Sequence, residues 1–239
     1  MPLIQVTDTD TRQDVLRSYT ILDSLPEQDY DDITHLASAI CQTSISLISL
    51  IDDDRQWFKS AHGLEIRETP TEYSFCTHTI QNPHEILIVP DSRQDSRFSG
   101  NPLVLGDPHV IFYAGVPLVN PQGFALGSLC VVDSRPKFGL TETQQAALKI
   151  LAQQVVNMLE MRRSGSILQI QKRILEQRNN ELDQLAGVIK ADVKPKLHQV
   201  TASVNKLKAH IPVAPTTNAL IDETLSTLRE IEQRLQPFE

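Results

Sequence analysis

The sequence predicts an α+β protein, an antiparallel sheet flanked by helices. An α-helical hairpin follows, expected to pair with a second copy as a dimeric four-helix bundle. Three observations carry this reading. Up to roughly residue 145, short apolar runs alternate with Pro, Gly, Asn and Asp, the texture of strands and turns. Beyond it helical periodicity dominates, and only Gly165, Gly187 and Pro195 interrupt the stretch from 140 to 209. The 239 residues are 40% apolar and 22% charged, enough for one large or two small domains and far from the composition of a disordered chain. The expected domains are 1–163 and 164–239.

Residues 10–17 read as a short amphipathic helix and 29–42 as a stronger one, with Ile33, Leu36, Ala37 and Ile40 on a single face. Residues 44–51 alternate as a strand. Asp52, Asp53 and Asp54 then form a turn rather than a calcium loop, which needs spaced acidic ligands and a later Glu, and 56–60 is the returning strand. Residues 63–70 read as a loop. Ser74 caps a short helix through Cys76 and His78, and 86–89 is a strand stopped by Pro90. The long loop 91–110 has the length of a functional or mobile segment. Two strands, 111–119 and 125–133, flank a turn at 120–123, and Pro117 argues for an edge or a bulge. Thr141, Glu142 and Gln144 open a long helix.

In the second part, Ile189, Val193, Leu197, Val200, Val204 and Leu207 step by three and four, a narrow apolar stripe with charged flanks. The segment 209–217 breaks the helix, and a second helix runs through Leu225 and Leu228. Such a hairpin covers its stripe with a second copy or by folding back on the first domain, and a homodimer is the expectation. Net charge is −8. Residues 1–159 hold ten basic and twenty acidic side chains, so nucleic acid is not an expected partner. Cys41, Cys76 and Cys130 are scattered with no CxxC pair, which argues against a disulfide framework or a structural metal, and no metal site is expected. The opening residues show no leader and no run is long enough to cross a membrane, so the cytoplasm is the expected location.

Several motifs resemble bacterial GAF domains: 52–59 (Asp-Asp-Asp-Arg-Gln-Trp-Phe-Lys), 68–70, 74–80 (Ser-Phe-Cys-Thr-His-Thr-Ile), 95–98 with 101–104, 112–118 and 127–133, in order over about residues 12–163. The resemblance implies a central antiparallel sheet, helices behind it and a small-molecule pocket in front, upstream of an output unit. Residues 179–186 with Val188 are similar to the opening of a histidine-kinase dimerisation helix, over about 176–236. That resemblance places a phosphoacceptor histidine where this chain has Ala191, which has no nucleophilic nitrogen. His198, seven residues on, is the weak alternative acceptor, and Asp192 lies off its face. No kinase ATP-binding domain is expected, and phosphate-cradling Gly-rich loops are not found in these residues.

Trp57, Phe75, Cys76, His78, Arg97, Phe98, Phe112 and Tyr113 are the candidate pocket residues, an apolar wall with a few polar handles; equally, they serve as core and loop anchors. Arg97 suits an anion or a salt bridge that pins the long loop. Cys76 and His78 diverge on a helix, which argues against a catalytic thiol–imidazole pair. No paired redox thiols are recognised, and buried packing is expected for Cys41 and Cys130. No cofactor is expected: bilin attachment would want a histidine directly after Cys76, where Thr77 stands. Five lysines, 190, 194, 196, 206 and 208, form a solvated face or a docking patch. The expected function is non-enzymatic signalling: a sensor domain, with at most a reversibly bound small molecule, coupled to a degenerate kinase-like bundle in a two-component system. A receiver domain or kinase is the expected partner. The alternatives are a phosphorelay through His198 and a ligand-free dimeric scaffold.

Overall fold

The computed structural model describes residues 11–210 and 215–235. The opening residues, read above as leaderless, and the centre of the predicted break between the hairpin helices lie outside that set. The chain divides into two compact units, Met1–Ile167 and Leu168–Glu239.

The first unit is built on a six-stranded antiparallel sheet in the order β3-β2-β1-β6-β5-β4. The strands are β1 (Ile45–Ile51), β2 (Arg55–His62), β3 (Glu68–Pro70), β4 (Leu87–Val89), β5 (Phe112–Val119) and β6 (Ala125–Asp133). The short β3 replaces part of the loop expected at 63–70. Asp52 closes the β1–β2 hairpin through its N–H to the Arg55 carbonyl, 2.9 Å, and its carboxylate accepts from Arg55 Nε, 3.2 Å, so the acidic run is a turn held by an ion pair. Pro117 sits on β5 opposite Ser128 of β6, beyond the three residues that β4 covers. Its other side is an open edge, where a missing N–H breaks no ladder bond.

Helices α1 (Arg12–Ser18), α2 (Gln28–Cys41) and the first turns of α5 (Glu142–Val188) cover one face of the sheet. Thr11 caps α1 with a full capping box, and Thr141 with Gln144 does the same for α5. Val15, Leu16, Ala37, Leu148, Ala152 and Val155 meet Ile48, Leu50, Trp57, Phe112 and Leu129 in this core. α3 (Phe75–Gln81), capped by Ser74, and the four-residue α4 (Pro102–Leu105) lie on the other face, against Leu47, Phe58, Tyr113 and Cys130. The loop expected at 91–110 therefore contains a turn of helix, started by the Asn101 side chain accepting from Leu103 N–H at 2.9 Å.

A register shift between Ile48 and Ser49 leaves Lys59 as the extra residue of β2. Lys59 and Ser60 then both reach α2 and its lead-in: Lys59 Nζ donates to Glu27 Oε1 at 2.5 Å and Ser60 Oγ to Asp31 at 2.6 Å.

In the second unit α6 (Lys194–His210) and α7 (Pro215–Arg234) pair as an antiparallel hairpin. Thr201 bonds Glu232 at 3.1 Å and Lys208 pairs with Asp222, partners that run in opposite directions along the two helices. One π turn, Ile189–Val193, joins α5 to α6. Its cause is Pro195, which has no N–H for the Ala191 carbonyl four residues back and whose ring crowds that oxygen; the Lys194 N–H bonds Ile189 instead, five residues back. No helix among the described residues is long and apolar enough to cross a membrane.

Candidate functional site

On the α3 side of the sheet, β1, β2, β5 and β6 supply a floor over which α3 and the 102–110 segment close. Between them lies a cavity of about 40 Å³, lined at its inner end by Gln56, Phe58, Phe75, Cys76, Tyr113 and Cys130. Leu64, Ile66, Leu103 and Pro108 stand nearer solvent. The space suits a few water-sized molecules.

Three of the eight predicted pocket residues, Phe75, Cys76 and Tyr113, line this cavity. Phe98 stands behind Phe75, stacked at 4.0 Å and 11°. His78 meets the Phe98 ring edge-on at 4.9 Å and does not reach the cavity. Burial and then the Arg97 charge hold the His78 imidazole below its ordinary value. Arg97 spends both arms on Asp95, at 3.0 and 2.6 Å, with its guanidinium over Phe98. It pins the loop and does not line this cavity.

Trp57 and Phe112 are corrections. Both point into the helix-covered core on the opposite face. Successive strand residues alternate faces, so Phe58 and Tyr113, their immediate neighbours, take the cavity side. Gly115, two residues after Tyr113 on the same face, makes room for it: a Cβ there would lie 2.2 Å from the Tyr113 hydroxyl.

A second correction concerns the thiols. Cys76 on α3 and Cys130 on β6 meet with their sulfurs 3.8 Å apart, a pairing hidden by a separation of 54 positions in the chain. The Tyr113 hydroxyl donates to Cys76 Sγ at 3.4 Å and Gln56 Nε2 donates at 3.5 Å. Thr79 Oγ1 lies 2.6 Å from the Tyr113 hydroxyl. The buried hydroxyls of Ser49 and Ser128 find no hydrogen-bond partner among the described residues. Burial by itself would raise the Cys76 thiol; the polar groups around it, Cys130 first and the Tyr113 hydroxyl among them, outweigh burial and hold it below its ordinary value. Cys130 moves well above its ordinary value through its hydrogen bond with Cys76 and through burial, and Tyr113 does so through burial and the nearby sulfur charge. Cys41 is buried apart from the pair, pushed up to about 11 by burial.

In the second unit Ala191 is exposed on the π turn. His198 is exposed too, with Nε2 3.9 Å from Glu232 Oε1 on α7, so its acidic neighbour comes from the facing helix rather than from Asp192. Of the predicted dimer-core residues, Leu225 is buried between the hairpin helices, while Ile189, Leu197, Val204 and Leu228 are half-buried. Val193, Val200 and Leu207 are 41%, 49% and 54% exposed.

An antiparallel sheet with helices behind and a small cavity under a helix and loop in front defines an α+β domain with a pocketed sheet face. Residues 26–159 match the GAF domain family, and the chain belongs to it. A cyclic di-GMP phosphodiesterase of Pseudomonas aeruginosa is 37% identical over 161 residues, which are 67% of this chain and 27% of that protein. This chain thus spans little more than a quarter of that relative. The relative is named as an enzyme, and this corrects the expectation of a non-enzymatic protein. The GAF domain of a phosphoenolpyruvate-protein phosphotransferase from Coxiella burnetii is similar with a TM-score of 0.49 at 14% identity, covering 65% of this chain and 96% of that one. The corresponding domain from Acinetobacter has a TM-score of 0.48 at 20% identity, covering 62% and 92%.

Proposed function

We propose that this GAF domain is the input module of a signal-transduction protein, holding a small molecule reversibly beside Cys76 and Tyr113. The observation that carries the reading is the cavity itself, apolar along Phe58 and Phe75 with a few convergent polar groups at its end. At about 40 Å³ it is closed to a metabolite. Entry requires the wall bearing Leu103 and Pro108 to move outward, and those two arrangements are the states whose balance a ligand biases. The helical unit, by its resemblance to a kinase dimerisation hairpin with Ala191 at the acceptor position, is the element that receives the change. It pairs with a second copy through the exposed stripe of Val193, Val200 and Leu207 and presents the resulting bundle to a receiver domain or kinase. The likeness to a protein named as a cyclic di-GMP phosphodiesterase favours control of cyclic di-GMP turnover as the output.

Native mass spectrometry of the chain purified from its own source tests both halves. The expected species is a dimer of the 26.8 kDa chain carrying a small mass that is shed on gentle activation. The double variant Val193→Asp/Val200→Asp should be a folded monomer, because both side chains are already exposed in the single chain. A wild-type monomer, or a dimer free of any small-molecule mass, defeats the corresponding half.

The Glu232 carboxylate beside His198 favours one second reading, a phosphorelay through that histidine. Incubation with a phosphorylated receiver domain would then leave acid-labile phosphate on the wild type and none on His198→Gln. No label on either protein discards the relay.

A further inference from the structure

Among the described residues, the convergence on Cys76 has no structural necessity: a sulfur that only filled space would need neither the Tyr113 and Gln56 donors nor a second thiol 3.8 Å away. Both sulfurs line the cavity, and both residues are 1% exposed, so the cavity is their route to solutes. Its volume of about 40 Å³ admits hydrogen peroxide, which is little larger than water, with no movement of the wall. The Tyr113 hydroxyl and the Gln56 amide both aim at Cys76, so Cys76 is the sulfur of the pair better supported as an anion.

We propose that Cys76 and Cys130 form a hydroperoxide-reactive dithiol, with Cys76 as the attacking and Cys130 as the resolving sulfur. The Cys76 thiolate attacks the terminal oxygen of the hydroperoxide. An S–O bond forms, the O–O bond of hydrogen peroxide breaks, and the departing oxygen takes up the proton that Cys76 had released, giving water. Cys130 then loses its proton and attacks the Cys76 sulfur. The S–O bond breaks and hydroxide leaves with that proton as water. In sum two thiols are oxidised by two electrons to one disulfide and one hydroperoxide is reduced. A disulfide has its sulfurs about 2.05 Å apart, so the two must close by somewhat under 2 Å, pulling α3 onto β6 across the end of the cavity. Tyr113 is a positioning residue: fed by Thr79, its hydroxyl stabilises the Cys76 anion. This chemistry stands whether or not a metabolite uses the cavity.

The test treats the full-length chain with hydrogen peroxide, alkylates free thiols under denaturing conditions and maps the peptides. The expected product is a Cys76–Cys130 disulfide, reversed by dithiothreitol, with Cys41 still alkylated. Cys41→Ser should oxidise at the wild-type rate, and Cys76→Ser and Cys130→Ser should form no intramolecular disulfide. Tyr113→Phe, which keeps the ring, should slow the reaction by roughly tenfold at neutral pH, the loss expected for one hydrogen bond to a charged sulfur, and its rate–pH profile should move to higher pH. A merely structural tyrosine would leave that profile in place. If a cysteine variant fails to fold, the wild-type map and the Cys41→Ser rate decide the matter. All three thiols remaining alkylatable, Cys41 oxidising as fast as Cys76, or Cys76 over-oxidising while Cys130 stays a free thiol would each overturn the proposal.

Discussion

Gly127→Ala is expected to cost the GAF domain about 3 kcal/mol or more, because the collision is with backbone. Gly127 of β6 lies opposite Leu50 of β1. A Cβ there would sit 1.9 Å from the Ser49 carbonyl oxygen and 2.8 Å from Leu50 Cα. A side chain could rotate away from the new methyl, but a strand in the middle of the sheet can only separate from its neighbour, losing ladder bonds. The same shift moves Ser128 and Cys130, so the sulfur contact with Cys76 should loosen as well. Gly165→Ala is the control. It lies in α5, and a Cβ there meets nothing within 4 Å. In a helix interior alanine is favoured over glycine by up to about 1 kcal/mol, so this variant should be slightly more stable than the wild type. Urea unfolding of the full chain reads both. A Gly127→Ala midpoint within error of the wild type would mean that β1 and β6 are further apart than described.

Glu27→Ala is expected to cost about 3 kcal/mol through the charge it strands. Lys59, whose side chain is fully buried, donates to Glu27 Oε1 at 2.5 Å, to the Leu25 carbonyl at 2.7 Å and to Ser24 Oγ at 2.9 Å. Without Glu27 the ammonium keeps two neutral acceptors and no counter-charge, since the Tyr30 ring at 5.0 Å is its remaining close neighbour of negative potential. Arg162, which also pairs with Glu27 at 2.9 Å, is partly solvated and loses little. Glu27→Gln keeps an acceptor and should lie between. The pH dependence has a definite sign. Burial pushes the Glu27 carboxyl up, but Lys59 and Arg162 outweigh it and hold the carboxyl below its ordinary value. Its contribution is therefore full above the ordinary carboxylate range and is lost as pH falls through the folded value. Thermal unfolding across that range should show the gap between wild type and Glu27→Ala narrowing on acidification. A gap that widens would refute the assignment.

Much of the site was legible one strand at a time, and some was misread at that level. Period-two alternation puts Phe58 and Tyr113 on one face and Trp57 and Phe112 on the other. The candidate pocket residues included two, Trp57 and Phe112, from the helix-covered face. Arg97 and Asp95, two apart in a turn, were readable as a pinned loop, and that is their arrangement. The bulge at Lys59 was not readable: an extra residue in β2 leaves no compositional mark, yet it turns Lys59 toward Glu27. The π turn had a visible cause in Pro195, but the choice between a kink, a break and a π turn depends on where the displaced carbonyls find donors.

Local chemistry was enough to establish the order of elements, most of their ends and the membership of each sheet face, because caps, turns and side-chain alternation act over a few residues. Ser74 starts α3, Thr141 starts α5 and Pro117 marks an uncovered edge by rules that need no distant partner. Meetings between distant segments were decided by folding alone. Cys76 and Cys130 come together because α3 packs across the face of β6 while Gly115 lets Tyr113 lie flat enough to reach Cys76. His198 acquires Glu232 because the hairpin closes in one particular register. Each such contact joins residues that share no periodicity and no neighbourhood in the chain, so its chemistry exists only once packing has brought them within a few ångströms.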